Sequence, residues 1–477
     1  MGSQTPAQFE IRNIAIIGAG PCGLAAARYL IAQEAFNQIA IFEQQDEVGG
    51  VWYYSRETSH ARHVPQTSAF CPPDPPLRPP LRPPQDKAPK FPSPMYEVLH
   101  TNIPRSLMQF SDLAFPADSL IFPSREHVQE YLVSYAKDIR HLIRFSSQVQ
   151  DVRLRQVDGK DQWDIDVLDL KTGEATTCTY DAVCVASGHY STIYIPDVEN
   201  LSAFHEAHPG VVMHSKYYRD AAGFTNKKVV VVGNSASGLD ISNQISRVCR
   251  KPLLLSVRTA TPPGYLDLIG AEEVPVIEEF LANERGVRFQ GGRVEKDIDA
   301  VVFATGYLYS FPFLTSLKPP LVTDGRRVHR AYKELFHSDH PTIVFPGLPV
   351  KVVPFAIAES QAALVSRTWA NKLPLPSAEE MEQWEKEETE RRGPAFHVWP
   401  KGGDGEFINS VYERIAASGT SGKTPPRWDQ ELLWERQIYF DAKLKFELQG
   451  CKAHSLQELG FQYQTEQDNS SAPEVLI

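Results

Sequence analysis

Ile14-Ala15-Ile16-Ile17-Gly18-Ala19-Gly20-Pro21-Cys22-Gly23-Leu24 is the stretch from which the fold can be read. Four apolar residues that stop at a glycine fit a strand buried on both faces of a parallel sheet. From Pro21 the spacing turns helical, with Leu24, Ala27 and Ile31 on one face. Proline suits a first helical position, where the missing N–H has no partner to lose. Ile39-Ala40-Ile41-Phe42 then supplies a second buried strand. The result is a β-α-β unit whose turn reads Gly18-x-Gly20-x-x-Gly23. Such glycines permit a tight turn, close approach of a pyrophosphate and close helix–strand packing, while the helix N-terminus offers free N–H groups. Glu43 stands twenty-five positions past Gly18, where a carboxylate accepts hydrogen bonds from a ribose diol. A glycine turn that serves packing alone is the alternative, and the acid weighs against it.

The pattern recurs further along. Val229-Val230-Val231-Val232 leads into Gly233-x-Ser235-x-Ser237-Gly238, then a helical run (Ile241, Ile245, Val248) and a strand (Leu253-Leu254-Leu255). A serine replaces the middle glycine and still leaves a small side chain beside a pyrophosphate. Counting the same twenty-five positions from Gly233 reaches Arg258. A carboxylate there would repel a 2′-phosphate, whereas a guanidinium binds it with paired, charge-assisted hydrogen bonds. The first site therefore favours a dinucleotide with a free ribose and the second favours NADPH; a solvated surface arginine is the other reading of Arg258. Two nucleotide sites of opposite polarity imply electron transfer between a mobile hydride donor and a retained flavin.

The expected fold is α/β, with two nested Rossmann-like dinucleotide-binding domains. A first domain over 1–190 is interrupted by an inserted second over 191–300 and resumes over 301–477, ending in a helical region. Ala300-Val301-Val302-Phe303 reads as a strand that returns to the first sheet. Between the units, Ser124 caps a helix through Val128, Leu132, Tyr135 and Ile139. A small antiparallel meander follows, turning at Asp158-Gly159 and Thr172-Gly173, and Ala182-Val183-Cys184-Val185-Ala186 is another buried strand. Residues 64–94, with Pro72-Pro73 and Pro79-Pro80, cannot form helix or central strand. They read as an extended surface loop, either bordering the active site or passive. The last dozen residues read as disordered.

Composition excludes several classes. A net charge of −11 argues against a polyanion-binding surface, so nucleic acid is not an expected partner. Six scattered cysteines without a C-x-x-C pair fit neither a disulfide framework nor a zinc site, and no metal is expected. Residues 1–10 carry no secretory pattern, no apolar run approaches the ~20 residues that span a bilayer, and the C-terminal residues are no sorting address. The expected location is the cytoplasm, and a homodimer is compatible with the sequence without being indicated by it. A disulfide reductase would place a redox cysteine pair close behind the first unit; Val48-Gly49-Gly50-Val51-Trp52-Tyr53 has none. Dioxygen or a soluble organic molecule remains as electron acceptor.

These residues resemble the flavin-containing monooxygenase family, and in particular its soluble fungal members. Gly49-Gly50-x-Trp52 resembles the family's turn against FAD. Ala186-Ser187-Gly188-His189 and Ala304-Thr305-Gly306-Tyr307 are similar to its two interdomain linkers. The stretch from Pro341 through Phe345-Pro346-Gly347 to Glu359-x-Gln361-Ala362 resembles its FAD-domain return. The family fingerprint Phe-x-Gly-x-x-x-His-x-x-x-Tyr/Phe is met by Gly210, His214 and Tyr218, with His208 in place of the leading phenylalanine. A tyrosine followed by Arg219 resembles the heteroatom-oxidising branch rather than the Baeyer–Villiger branch, and His214 is read as architectural. Thr101-Asn102-Ile103-Pro104 resembles the segment whose asparagine lies beside the flavin ring; an Asx-turn before proline is the other reading of Asn102.

The resemblance implies FAD in the first domain (Gly18, Gly20, Gly23, Glu43, Gly50, Trp52) and NADPH in the inserted one (Gly233, Ser235, Ser237, Gly238, Arg258), with Thr305 and Gly306 between them. It implies an enzyme that reduces FAD with NADPH, forms a C4a-hydroperoxyflavin with dioxygen, and oxygenates a soft nitrogen or sulfur of a small molecule. Asn102 would act at the reacting centre, and catalysis would be mainly positioning and exclusion of water. A Baeyer–Villiger oxygenase, an NADPH-dependent flavin reductase and a non-catalytic redox-sensing scaffold are the alternatives, because fold likeness does not fix chemistry.

Overall fold

The computed structural model describes residues 9–59, 63–77, 90–262 and 264–464. The opening unit is β1 (Asn13–Ile17), α1 (Pro21–Ile31) and β2 (Gln38–Phe42). β1 lies inside a sheet of seven strands among the described residues, third from one edge. It pairs in parallel with β2, Ile17 opposite Phe42, and on its other edge with β7 (Ala182–Val185), Ile17 opposite Val185. Ile14, Ala15 and Ile16 are wholly buried, which is why the run is apolar at every position rather than at alternate ones. Next along the chain come the helices α2 (Arg105–Met108) and α3 (Arg125–Ala136). Ser124 caps α3 by accepting from the His127 N–H. A two-residue strand, β3 (Ile143–Arg144), closes the sheet edge. Strands β4 (Ser147–Val157), β5 (Lys160–Asp169) and β6 (Ala175–Tyr180) form the antiparallel meander.

The chain leaves the first domain through Ala186–Ile195, which includes β8 (Thr192–Ile193), and passes through α4 (Leu201–Ala207) into the second sheet. That sheet is all parallel, in the order β12 (Ala271–Val274), β11 (Leu253–Ser256), β10 (Val229–Val232), the strand Ala300–Phe303, and β9 (Val212–His214). Its first crossover helix is α5 (Ala236–Ser246). The strand Ala300–Phe303 thus differs from the expectation: Val301 lies opposite Val230 on one side and Val212 on the other, so it belongs to the second sheet. A four-residue apolar run buried on both faces suits either sheet, and only pairing decides which. The return crossing therefore falls past Phe303, not at residue 300. There Tyr307 and Leu308 pair antiparallel with Ile193 and Thr192, so the two linkers form one short ribbon.

The described part of the proline-rich segment is not simply a surface loop. Gln66 pairs with Ile195 through both backbone bonds, 3.0 and 2.9 Å. Val64 and Ala69 are buried in different clusters, the one in the inserted domain and the other under the first sheet. The segment straps both domains at the linker. Pro79-Pro80 lie outside the described residues, as do the last residues from 465 onward.

After the return, the helix Pro354–Trp369 buries every residue but its first and packs on α1. Glu359 on this helix is fully buried and accepts from the Ser111 N–H (2.7 Å) and the Lys423 ammonium (2.8 Å). The C-terminal helix Gln430–Leu448 clamps the two domains. Its Phe446 meets Phe122 of the first domain, ring centroids 5.1 Å apart, and its Glu447 accepts from Asn243 of α5 at 3.0 Å. Among the described residues, no helix is long and apolar enough to cross a membrane.

Candidate active site

In the first cradle, the Gly18 N–H bonds the Phe42 carbonyl (2.8 Å) and the Leu24 N–H bonds that of Gly20 (3.0 Å). Gly18 has φ +103°, and a Cβ there would stand 2.6 Å from the Ala186 carbonyl oxygen. A Cβ on Gly23 would stand 1.9 Å from the Gly18 oxygen, so side chains are excluded at both places. Glu43 is buried and reaches back into the turn, accepting from the Ala19 N–H at 2.8 Å and the Gln45 N–H at 2.8 Å. Burial pushes its carboxyl up, and these N–H groups oppose the rise. The Gly49 N–H bonds the Ala19 carbonyl (3.0 Å), which draws the next turn over the first; a Cβ on Gly50 would lie 3.1 Å from the Gly20 Cα. Trp52 ends this turn, half-buried against the main core. Gln129 of α3 donates to the Val48 carbonyl at 2.7 Å and fixes the turn from outside.

The second cradle repeats the framework. The Gly233 N–H bonds the Ser256 carbonyl (2.9 Å), the Leu239 N–H bonds that of Ser235 (2.9 Å), and a Cβ on Gly238 would stand 1.9 Å from the Gly233 oxygen. Gly233, at φ +105°, sits against the Ala304 carbonyl as Gly18 sits against that of Ala186. The match corrects the count made from sequence. Phe42 corresponds to Ser256, so Glu43 corresponds to Val257, and Arg258 stands one residue beyond. The connection from turn to strand end is one residue shorter in the second unit, a difference that counting residues does not reveal. Val257 is buried, while Arg258 is exposed and makes no hydrogen bond or ion pair among the described residues. No carboxylate occupies the position equivalent to Glu43, and the guanidinium beside it has no polar partner among the described residues. Ser235, Ala236 and Ser237 are all exposed, and Ser235 does not cap its own helix, so the first N–H groups of α5 remain open.

The segment His214–Arg219 lies where the domains meet. His214 is fully buried; its Nδ1 accepts from the Lys216 N–H (3.1 Å), so Nε2 carries the proton and donates to the Gly306 carbonyl at 3.0 Å. Burial holds its pKa down at about 3, and the ring is neutral. Lys216, 3% exposed, pairs with Asp74 of the strap at 2.7 Å. Tyr218 donates to Gln244 of α5 (2.9 Å) and meets Tyr96 edge-on at 5.4 Å. The buried Arg219 donates to the carbonyls of Met95 (3.2 Å), Lys216 (2.9 Å) and Glu57 (3.3 Å). Thr305 donates to the Tyr194 carbonyl at 2.5 Å, and Gly306 holds a positive φ of 82°. His208 packs on Phe204 and bonds the Ala282 carbonyl at 2.7 Å; it stays inside the inserted domain and takes no part in the junction.

Comparison with known proteins agrees with this architecture. Residues 85–262 and 268–417 match the family model described as flavin-binding monooxygenase-like, and 16–79 match one described as an NAD(P)-binding Rossmann-like domain. The chain belongs to the flavin-binding monooxygenase-like family. A thiol-specific monooxygenase of Saccharomyces cerevisiae is 30% identical over 88% of this chain and 90% of its own. A flavin-containing monooxygenase of the GS-OX-like type from Arabidopsis thaliana is 33% identical over 79% of this chain and 80% of its own. In fold, the chain is similar to the solved S-allyl-L-cysteine S-oxygenase of Allium sativum, with a TM-score of 0.73 at 24% identity, over 95% of this chain and 98% of that one.

The protein is a monooxygenase of this family, with FAD and NADPH as its cofactors. The residues fit both groups: two cradles that a Cβ would fill, one with a buried acid at its strand end and the other with an arginine that has no polar partner among the described residues. Asn102 lies between two pinned backbone points, since the Thr101 N–H bonds the Pro123 carbonyl (2.9 Å) and the Arg105 N–H that of Ile121 (2.8 Å). Its side chain is exposed and makes no hydrogen bond among the described residues, so the Asx-turn is absent there; Thr101 makes the local bond instead, to the Ile103 carbonyl at 2.9 Å. The pairing of 99–101 with 123–125 runs straight into α3, which carries Gln129 to the Gly49 turn. Sequence reasoning missed Gln129, Lys216 and the anchoring by Arg219. The last two adjoin the fingerprint, and charged residues beside a buried motif were the available signal. Gln129 had none, being one polar position of an amphipathic helix.

Proposed function

We propose that this enzyme oxygenates the sulfur of a small thiol or thioether, or a comparably soft amine nitrogen, at the expense of NADPH. The contrast between a sealed flavin cradle and an open coenzyme cradle carries this reading, and the thiol-specific relative points to sulfur. The family description for 16–79 speaks of NAD(P), but Glu43 and the covering Gly49-Gly50 turn favour FAD there. When bound, FAD takes a hydride from NADPH and passes one oxygen atom of dioxygen to a nucleophile, the other leaving as water.

In this reading the turn Gly18, Gly20 and Gly23 and the N-terminus of α1 receive the FAD pyrophosphate. Glu43, still held by the Ala19 and Gln45 N–H groups, would accept from the ribose hydroxyls with its remaining lone pairs, and Gly50 and Trp52 would cover the group. Gly233, Ser235, Ser237 and Gly238 receive the coenzyme pyrophosphate, and Arg258 its 2′-phosphate. Thr305 and Gly306 hold the linker ribbon on which the two domains face each other. After hydride transfer, the free amide of Asn102 would hold the oxidised coenzyme beside the group that transfers oxygen. A sulfur lone pair needs no base to attack, so no acid–base pair is required of the protein.

The test uses FAD-loaded enzyme with a small thiol, thioanisole, dimethylaniline and cyclohexanone, following NADPH loss, labelled oxygen in product and hydrogen peroxide. Sulfur product in step with NADPH loss is expected. Ester from cyclohexanone, or peroxide alone, would overturn the proposal in favour of Baeyer–Villiger or reductase chemistry. Asn102→Ala is expected to leave flavin content and reduction by NADPH unchanged while lowering product per NADPH by about tenfold, with peroxide taking up the difference.

A further inference from the structure

We infer that Asn234, the residue after the first glycine of the second cradle, is the positioning residue that selects the phosphorylated coenzyme, by bracing the loop that bears Arg258. This rests on the reading of Arg258 given above. The Asn234 amide donates to the Thr259 carbonyl at 2.8 Å and to the Thr261 hydroxyl at 3.1 Å, so both its hydrogens are spent on one loop. From the far side, Glu273 of β12 accepts from the Thr261 N–H at 2.8 Å, and the Val257 N–H bonds the Val274 carbonyl at 3.0 Å. The loop is thus fastened on both sides of Arg258, whose own side chain touches nothing polar among the described residues.

The first cradle explains why such a brace is needed. There the residue after the first glycine is Ala19, and its backbone N–H meets the recognition acid itself: Glu43 reaches back and fastens its own segment. An arginine cannot do this. The N–H groups at a helix N-terminus carry partial positive charge and repel a guanidinium, so Arg258 must point outward and a neutral amide must tie its loop to the turn. The same position in each unit couples the turn to the recognition segment, through the backbone where recognition is acidic and through a side chain where it is basic. A bidentate contact tolerates little displacement, so slackening this loop acts first on the 2′-phosphate and hardly on the pyrophosphate.

The experiment measures dissociation constants of NADP⁺ and NAD⁺ on the oxidised, FAD-loaded enzyme for Asn234→Ala, Thr261→Val, Arg258→Ala and the Asn234→Ala/Arg258→Ala pair. Asn234→Ala is expected to weaken NADP⁺ roughly tenfold and NAD⁺ by less than about twofold. Thr261→Val, which keeps side-chain shape and removes only the hydroxyl, is expected to give a smaller shift of the same kind and guards against a folding defect in the alanine variant. The pair should bind NADP⁺ no more weakly than Arg258→Ala alone, since Asn234 acts through that arginine. Equal weakening of both coenzymes by Asn234→Ala, or additive losses in the pair, would overturn the inference while leaving Arg258 in its role. Arg258→Ala without effect on the ratio would instead remove the reading on which it rests.

Discussion

The Ala19 peptide of the first cradle is held on both sides, its N–H by Glu43 at 2.8 Å and its carbonyl by the Gly49 N–H at 3.0 Å. In the second cradle, Ser235, Ala236 and Ser237 face solvent, and Arg258 stands free at the rim. Yet the frameworks coincide bond for bond, from Gly18 on Phe42 and Gly233 on Ser256 to the contact of each first glycine with a linker alanine. One backbone design thus occurs once under a covering turn and once open to solvent, with the retained group proposed for the first and the exchangeable one for the second. In that reading a covering turn would hold a prosthetic group, and an open helix N-terminus would let a coenzyme come and go within a catalytic cycle.

The sharpest way to break this contrast is to damage both cradles alike. Gly18→Ala sets a Cβ 2.6 Å from a carbonyl oxygen, and Gly233→Ala sets one at 2.8 Å, each at a φ above +100°. The strain is on the order of 3 kcal/mol or more in either. Purified Gly18→Ala is expected to be nearly colourless, whereas Gly233→Ala keeps its FAD absorbance and loses reduction by NADPH about a hundredfold. Equal loss of flavin from both would erase the division of labour.

A smaller effect probes the second cradle alone. Arg258→Glu replaces attraction for the 2′-phosphate with repulsion, worth ~3 kcal/mol, or roughly a hundredfold in kcat/KM with NADPH. Steady-state rates with NADH are expected to stay level, and a parallel fall with both coenzymes would mean that the arginine merely supports the loop.

The smallest effect concerns the linkers. His214 ties the inserted domain to the second linker as a neutral ring, whereas the buried Nε2 of His189 on the first linker has no partner among the described residues. Burial holds both pKa values down, at about 3 for His214 and about 4 for His189. Unfolded histidine titrates near 6.5, so the unfolded chain binds more protons below that value, and stability falls as pH drops from about 6.5 toward each folded pKa. For His214 the loss between about pH 7 and pH 5 is about 2 kcal/mol. His214→Gln keeps a donor and an acceptor, and is expected to flatten that part of the pH dependence of the denaturation midpoint; an unchanged slope would mean that the ring is not buried neutral in solution.

Much of the fold was legible because it is written in local pattern. The apolar runs at Ile14–Ile17 and Val229–Val232, each closed by spaced glycines, admit few other readings, and Glu43 falls at the end of β2 as its spacing implies. What failed was whatever depends on neighbours remote in sequence. The strand Ala300–Phe303 has no mark that distinguishes one parallel sheet from another. Equal spacing from the first glycine sets Arg258 opposite Glu43, whereas the turn-to-strand connection is one residue shorter in the second unit. The described part of the proline-rich segment became a strap only once Asp74 met Lys216 and Gln66 met Ile195.

By itself, then, the sequence determined the two β-α-β units, their order, and the opposite charge of the groups beside them, because periodicity, glycine spacing and residue type are properties of a short window of chain. The tertiary structure alone decided which cradle is covered and which is open, which sheet receives the late strand, and which neutral side chain ties the loop after Arg258 to the turn. Those outcomes depend on pairing and burial between residues that the chain brings together from far apart, as Asn234 and Glu273 do on either side of Thr261.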